Sequence, residues 1–333
     1  MADSVAVVIL NYNGRNYLEK FLPIVIQNSI PHEVIVADNA STDDSIDFLK
    51  ENYPDLRLVE ISKNLGYAGG YNEALKKIKS DFYVLLNSDV ETTPHWIDPV
   101  ISLMKKNEKI VACQPKIKSF HHKDYFEYAG AAGGFIDYLG YPFCRGRIFS
   151  NLEQDQGQYD DSIPVFWATG ACLFVKSQAF HELGGLDDKF FAHMEEIDFC
   201  WRAKNHGYQI YYCGESTVYH VGGGTLKAES PFKTYLNFRN NWLLLFKNLS
   251  IEEFKAIKKR RKRLDLLAAI QFMAKGKKAN ANAILKAHRD FKKMKDDYKS
   301  NPSNGLDHPE VFKKSIINQF FVKGKRIFSG LNM

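Results

Sequence analysis

The first ninety or so residues alternate short apolar runs with polar, helically spaced stretches. Residues 5–10, 33–37, 56–61 and 82–86 are apolar and rich in β-branched side chains, and each run is closed by a polar turn. Runs of this kind predict buried strands. Between them, helices are expected over 17–27, from the capping residues Ser41-Thr42-Asp43-Asp44, and over 71–78 after a glycine-containing loop at 63–70. Strands alternating with helices predict βαβ units and a mostly parallel sheet, an α/β fold. A helix over 94–107 and a strand over 110–114 continue the pattern. It breaks over 117–163, where Gly and aromatic residues are frequent and no period is clear. Short strands forming a wall beside a site are expected there. Strand character returns at 165–175, helical character at 195–205, and extended character at 208–213 and 217–220. Beyond about residue 231 the pattern is mostly helical.

Polar residues follow each of the first four strands. Asn11 and Asn13 follow the first, Asp38 and Asn39 the second, Asn64 the third, and Asn87-Ser88-Asp89 the fourth. Open α/β sheets bind ligands beyond the carboxyl ends of their strands. A row of polar groups along that edge suits a nucleotide, with base and ribose at the first strands and a diphosphate at the fourth. Asp89 there supplies an oxygen ligand for a hard divalent cation. The structural alternative is that Asp89 caps the helix expected near Pro94. Gly66, Gly69 and Gly70 are spaced wrongly for a dinucleotide fingerprint, and no P-loop pattern occurs, which argues against a nicotinamide cofactor.

A chain of 333 residues with 45% hydrophobic content allows one large domain or two smaller ones with a sizeable core. Its five cysteines are odd in number, widely spaced and free of any CxxC pair. This argues against a zinc ribbon or a disulfide framework and for a reducing, cytoplasmic setting. The N-terminus is read as running directly into a strand without a leader, and no apolar run is long enough to span a bilayer. The net charge of +6 conceals a division. Residues 247–333 carry 22 Lys/Arg against 8 Asp/Glu, a net +14, whereas residues 1–246 stand at −8. An acidic catalytic domain at 1–246 and a basic helical extension at 247–333 are expected, the latter suited to an anionic partner.

Eight segments in order carry a resemblance: VVILNYNG, VIVADNASTDDS, NLGYAGGYN, YVLLNSD, ATGACLFV, GGLDDKFF, EEIDFCWR and YHVGGGT. Together they resemble the motifs of family 2 glycosyltransferases with a GT-A fold, most closely the bacterial rhamnosyltransferase-like members that build surface polysaccharides. The likeness covers roughly residues 4–246. It implies an inverting transfer from a UDP- or dTDP-linked sugar to a glycan or lipid-linked glycan acceptor, assisted by Mg²⁺ or Mn²⁺. Asp38 resembles the residue that contacts the nucleobase, and the loop of Asn64 and Gly66 the one that closes over the nucleotide. Asn87-Ser88-Asp89 resembles the family's DxD, with Asp89 on the metal and neutral Asn87 a departure. His220 resembles the further metal-site residue. Glu195-Glu196-Ile197-Asp198 resembles the acid–base centre. Glu196 stands where the family has its base, again a departure, with Glu195 the second candidate and Asp198 the third carboxylate. Arg202 either pairs with Asp198 at i,i+4 or faces the diphosphate. Trp167, Gly170 and Ala171 resemble the acceptor-side wall, with plain core as the alternative for Trp167.

In the basic extension, Lys258-Lys259-Arg260-Arg261-Lys262-Arg263 precedes the apolar 264–273, and Phe312, Ile316, Ile317, Phe320 and Phe321 recur at helical spacing. Across 258–328 this predicts basic amphipathic helices fitted to an anionic membrane surface. The alternative is packing on the catalytic domain. No nucleic-acid-binding module accompanies the charge. A peripheral position at the inner face of the cell membrane follows from the first reading. Because of Asn87 and Glu196, a degenerate domain that binds nucleotide or glycan without turnover is the alternative function. A nucleotidyltransferase would want a Gly-rich, basic loop after the first strand, which Asn11–Gly14 is not.

Overall fold

The computed structural model describes residues 3–222, 230–298 and 305–333. Of the last motif, Gly223, Gly224 and Thr225 lie outside the described residues, as does 299–304 within the basic stretch. The expected strands form as β1 (Val5–Asn11), β2 (Glu33–Asp38), β3 (Arg57–Glu60) and β4 (Phe82–Asn87), all parallel, in the order β3-β2-β1-β4. Helices α1 (Arg15–Asn28), α2 (Ser45–Asn52) and α3 (Gly66–Leu75) connect them. The rest of the sheet is mixed. β12 (Cys172–Lys176) runs antiparallel between β4 and β6 (Ile110–Ser119). β13 (Gln209–His220) lies parallel to β6, and β11 (Ser162–Val165) closes that edge antiparallel to β13. The parallel expectation therefore holds for the half built from βαβ units. It fails where the chain returns to the sheet from the 117–163 excursion rather than through a crossover helix.

Register is what builds a site. Asn11 lies opposite Asp38, and Leu10 opposite Asn87, so β1, β2 and β4 end level. A short strand, β5 (Val90–Thr92), follows Asp89 and pairs with the end of β13, setting His220 opposite Val90. The expected helix from 94 is thus the shorter α4 (Asp98–Lys105), and Asp89 caps nothing. Helix α3 begins five residues before the expected start, and Gly66, Gly69 and Gly70 lie inside it. These glycines serve close approach rather than a loop. Gly66 has φ +70 and a Cβ there would collide with the Phe191 carbonyl, while one on Gly70 would meet Leu10 at 2.9 Å. Glycine weakens a helix by about 1 kcal/mol relative to alanine, so packing here overrides local preference.

The excursion forms a meander of β7 (Gly134–Asp137), β8 (Pro142–Cys144), β9 (Arg147–Ile148) and β10 (Asn151–Leu152). This second sheet gains a fifth strand from the far end of the chain, β14 (Val311–Phe312), parallel to β7. The expected helical stripe from Phe312 to Phe321 splits: Phe312 joins β14, and only residues 316–322 are helical, ending in a π-helical turn over Asn318–Val322. Asp137 accepts the Ile316 N–H at 2.9 Å, and Phe312, Ile316 and Phe320 are buried in the cluster that also holds Phe135 and Phe143. Between these parts come α5 (Ser177–Glu182), α6 (Glu195–Asn205), α7 (Pro231–Asn248), α8 (Ile251–Ala274) and α9 (Lys278–Met294). Helix α7 runs through the boundary expected at 246/247. A capping box of Ser250 and Glu253 opens α8. All five cysteines are buried free thiols, and no described helix is long and apolar enough to cross a membrane.

Candidate active site

The strand ends form one hydrogen-bonded edge. Asn11, fully buried, donates through Nδ2 to Asp38 Oδ2 at 2.9 Å, and Asp38 Oδ1 accepts the Ser41 N–H at 2.8 Å. Asn13, held at φ 51, accepts the Thr42 N–H at 2.7 Å. Residues 41–44 are thus a loop tied to the first strand's turn, and α2 starts only at Ser45. Asn39 donates to the Gly66 carbonyl at 2.9 Å and to Asn64 Oδ1 at 3.2 Å, and accepts the Leu65 N–H. All five expected residues from the first three strands, with Gly66, therefore share this edge. Asn11 Oδ1 is buried with no partner, and a buried acceptor left open is costly unless something else fills it.

At the fourth strand, Asp89 Oδ1 lies 3.1 Å from His220 Nε2, and Asn87 Nδ2 lies 3.4 Å from the same nitrogen. On the other side of the ring, His220 Nδ1 meets Glu127 Oε2 at 3.1 Å. Burial disfavours the charged ring, but Asp89 and Glu127 outweigh it and push the His220 pKa up to about 10. Burial likewise works against the Asp89 carboxylate, yet His220 and backbone N–H donors hold it below its ordinary value. Asp89 and His220 face one another as an oxygen and a nitrogen that a cation could share once Nε2 gives up its proton, and Glu127 flanks the far side of the imidazole as an ion-pair contact without hydrogen-bond geometry. Among the described residues no group of three His, Cys, Asp or Glu side chains converges as a metal cage. A cation would therefore complete its shell from the ligand it carries. Sequence reasoning missed Glu127. It lies in the aperiodic excursion, where no pattern signals it.

A strained loop presents the acid cluster. Phe191, His193 and Met194 all have positive φ (66, 70 and 76) immediately before α6. Each such residue costs about 1–3 kcal/mol and persists only where surroundings over-determine it. Asn240 of α7 does so, donating to the carbonyls of Phe190, Ala192 and His193 at 2.7–2.9 Å. Arg239 adds bonds to those of Lys189 and Phe190. Glu195 and Glu196 then open α6. Each has an Oε2 that is buried and without a partner. Burial, and for Glu195 also the neighbouring Glu196 charge, push both carboxyls up, Glu196 to about 7. Tyr67 links the loop before α6 to the end of β4: its N–H donates to the Phe191 carbonyl at 2.7 Å and its hydroxyl to the Gly170 carbonyl at 2.6 Å, while the Ala171 carbonyl accepts the Asn87 N–H at 3.0 Å. Gly170 and Ala171 thus sit between β4 and the loop that carries the acids.

Three expectations are corrected. Asp198, expected as a third carboxylate of the acid–base centre, is turned to a structural contact. It is fully buried, and its oxygens accept from Arg202 Nε and Lys247 Nζ at 2.8 Å and from Asn248 Nδ2 at 2.9 Å. Burial opposes its charge, but Arg202 and Lys247 hold its pKa below the ordinary value. Arg202 does not face a diphosphate. Its remaining nitrogens donate to the carbonyls of Leu183 and Gly185 at 2.6 and 2.7 Å. Trp167 is core: its Nε1 donates to the Phe135 carbonyl at 3.0 Å and its ring lies over Gly134. Asp198 instead clamps α6 to α7. Asp198→Ala removes the acceptor shared by Arg202, Lys247 and Asn248, leaving Lys247 with Asp187 and Arg202 with backbone carbonyls, and is expected to lower unfolding free energy by about 1.5–3 kcal/mol in urea denaturation. A purely catalytic Asp198 would leave the urea midpoint unchanged.

Residues 6–184 match glycosyl transferase family 2, and the chain belongs to that family. The N-acetylglucosaminyl-diphospho-decaprenol L-rhamnosyltransferase of Mycobacterium tuberculosis is 28% identical over 239 residues, covering 66% of this chain and 76% of that protein. The low-salt glycan biosynthesis hexosyltransferase of Haloferax volcanii is 24% identical over 252 residues, 73% of this chain and 76% of the relative. Among solved structures, Staphylococcus aureus TarS 1–349 with UDP-GlcNAc superimposes with a TM-score of 0.56 at 15% identity, over 86% of this chain and 80% of that one. The mannosyltransferase PcManGT of Pyrobaculum calidifontis with GDP-Man and Mn²⁺ gives 0.52 at 16% identity, over 87% and 76%. The fold is GT-A, and the protein is a rhamnosyltransferase-like family 2 glycosyltransferase that acts on glycans.

Proposed function

We propose that the protein is a metal-dependent, inverting glycosyltransferase. It moves a sugar from a UDP- or dTDP-linked donor to a glycan or lipid-linked glycan acceptor in cell-surface polysaccharide synthesis. The observation that carries this reading is the pair of partnerless buried carboxylate oxygens on Glu195 and Glu196, at the head of a helix whose preceding loop is tied through Tyr67, Gly170 and Ala171 to the strand that ends beside Asp89. The likeness to a rhamnosyltransferase whose name specifies a lipid-diphosphate acceptor supports the acceptor class. In this reading residues 1–246 are the catalytic domain and 247–333 the extension, and the enzyme works at the inner face of the membrane.

The nucleotide lies along the edge made by Asn11, Asn13, Asp38, Asn39, Asn64 and Gly66, with its diphosphate at Asn87-Ser88-Asp89. Mg²⁺ or Mn²⁺ would be held by Asp89 and His220, and supplies neutralisation of the leaving diphosphate's charge. Glu196 accepts the acceptor hydroxyl's proton as that oxygen bonds to the anomeric carbon. The bond from that carbon to the diphosphate oxygen breaks, and the electron pair leaves with the diphosphate. Burial and the neighbouring Glu196 charge push the Glu195 carboxyl up as well, which disfavours a second charge beside the base.

A thermal-shift screen of nucleotide sugars with and without Mn²⁺ tests the donor, because the tightest ligand of the folded state raises the transition most. Uridine or deoxythymidine donors with Mn²⁺ are expected to give the largest shift and to be turned over. Binding with no turnover on any donor and acceptor would reduce the protein to a nucleotide-binding domain. Glu127→Gln is expected to weaken Mn²⁺ affinity of the nucleotide complex by about 10–100-fold, read by calorimetry.

A further inference from the structure

The α8–α9 hairpin carries a site that sugar transfer does not use. Helices α7, α8 and α9 enclose a cavity of about 210 Å³ with an aromatic floor that includes Trp242, Phe254 and Phe291. Five lysines line it as well: Lys255, Lys258 and Lys262 from α8, and Lys292 and Lys295 beyond them. Lys295 pairs with Asp296. The other four have no ion-pair partner among the described residues. Partial burial first, and then the like charges of Lys262, Lys295 and Lys292, depress the Lys258 pKa. Like charges gathered round an apolar hollow repel one another, and an anion placed among them relieves the repulsion.

The same face continues beyond the cavity. At 100° per residue, Lys255, Lys259, Lys262, Arg263, Leu266, Ile270 and Met273 fall within an arc of about 100° on α8. From Lys255 to Met273 that arc holds no acidic residue. Its last third is apolar. Leu266, Ile270 and Met273, with Leu267 at its margin and Leu285 of α9, are 50–60% exposed. Scattered single apolar residues on a surface need no explanation, but a cluster continuous with a cationic, apolar-floored hollow does. A soluble anion would use the lysines and leave the leucines idle. A bilayer uses both, since acyl boundary takes the apolar side chains and lipid phosphates take the lysines.

We propose that the α8–α9 face docks on an anionic phospholipid bilayer, with the lysine-lined cavity receiving one lipid phosphate and its first methylenes on the aromatic floor. The proposal does not depend on the transfer chemistry. It is tested on the full chain by flotation with phosphatidylcholine vesicles with or without phosphatidylglycerol, at low salt, while UDP and Mn²⁺ binding is followed separately. The wild type is expected to float with the anionic vesicles and not with pure phosphatidylcholine. Lys258→Ala with Lys262→Ala is expected to weaken that partition about thirtyfold, two lysines at about 1 kcal/mol each. Leu266→Ser with Leu267→Ser and Ile270→Ser should weaken it comparably, with circular dichroism and nucleotide binding unchanged. No flotation of the wild type on anionic vesicles, or equal flotation of either variant, would overturn the proposal. So would inorganic phosphate binding in the cavity without vesicle attachment, which marks a free-anion site, or self-association through the leucine face in place of lipid binding. Loss of nucleotide binding in the wild type would count against the proposed function and leave this result standing.

Discussion

Glu196→Gln is expected to cut sugar transfer by about 10²–10⁴-fold, the range a positioned general base contributes, with donor affinity nearly unchanged. The substitution keeps shape and removes only the ability to hold a proton. Burial pushes the Glu196 carboxyl up to about 7. A base must be ionised to act, so its raised pKa places the loss of activity on the acid side. The wild-type rate should climb as pH rises through about 7 and level off above it, and the variant's residual rate should lack that step. Removing a buried charge relieves desolvation, so the variant should unfold at the same temperature or higher. Quantifying nucleotide release against pH in both proteins checks this. If Glu195→Gln abolishes the pH step and Glu196→Gln keeps it, the roles of the two residues are exchanged.

Asp89→Ala is expected to bring turnover below detection and to remove the Mn²⁺ dependence of nucleotide binding. Asn87 and Ser88 are neutral, so Asp89 is the one anionic oxygen at this strand tip. Its loss leaves His220 paired with Glu127 alone. Charge stabilisation by a bound cation amounts to several kcal/mol, and no neighbouring side chain replaces the ligand. Asn87→Asp, which restores a second acid beside His220, should be tolerated. Mn²⁺ titration followed by electron paramagnetic resonance, with and without UDP, reads both effects. Wild-type activity in Asp89→Ala would remove the metal-site reading.

Much of this arrangement was legible because strands write simply. The runs before Asn11, Asp38 and Asn87 are apolar on both faces, and polar residues just past such strands gather at one edge whatever the loops do. Helix α6 begins and ends where its pattern says. Features that depend on tertiary partners were not legible. Arg202 has the same sequence context whether it meets a phosphate or the Leu183 and Gly185 carbonyls, and only the fold decides. Trp167 looks like a sugar platform until Gly134 is found beneath it. Glu127 has no local signature because its role is defined by a histidine 93 positions away. The glycines of α3 pointed to a loop because their purpose, admitting Leu10 and the Phe191 carbonyl, lies in other elements. Phe312 reads as part of the helix stripe of Ile316 and Phe320 because the strand that claims it, β7, is formed by residues 134–137.

The family match stops at residue 184, yet the loop that aims Glu195 and Glu196 is gripped by Asn240 and Arg239. The strand edge and the acid pair are therefore held by different stretches of the polypeptide. A substitution along α7 would tilt the acids while leaving the edge of Asn11, Asp38 and Asn64 as it is.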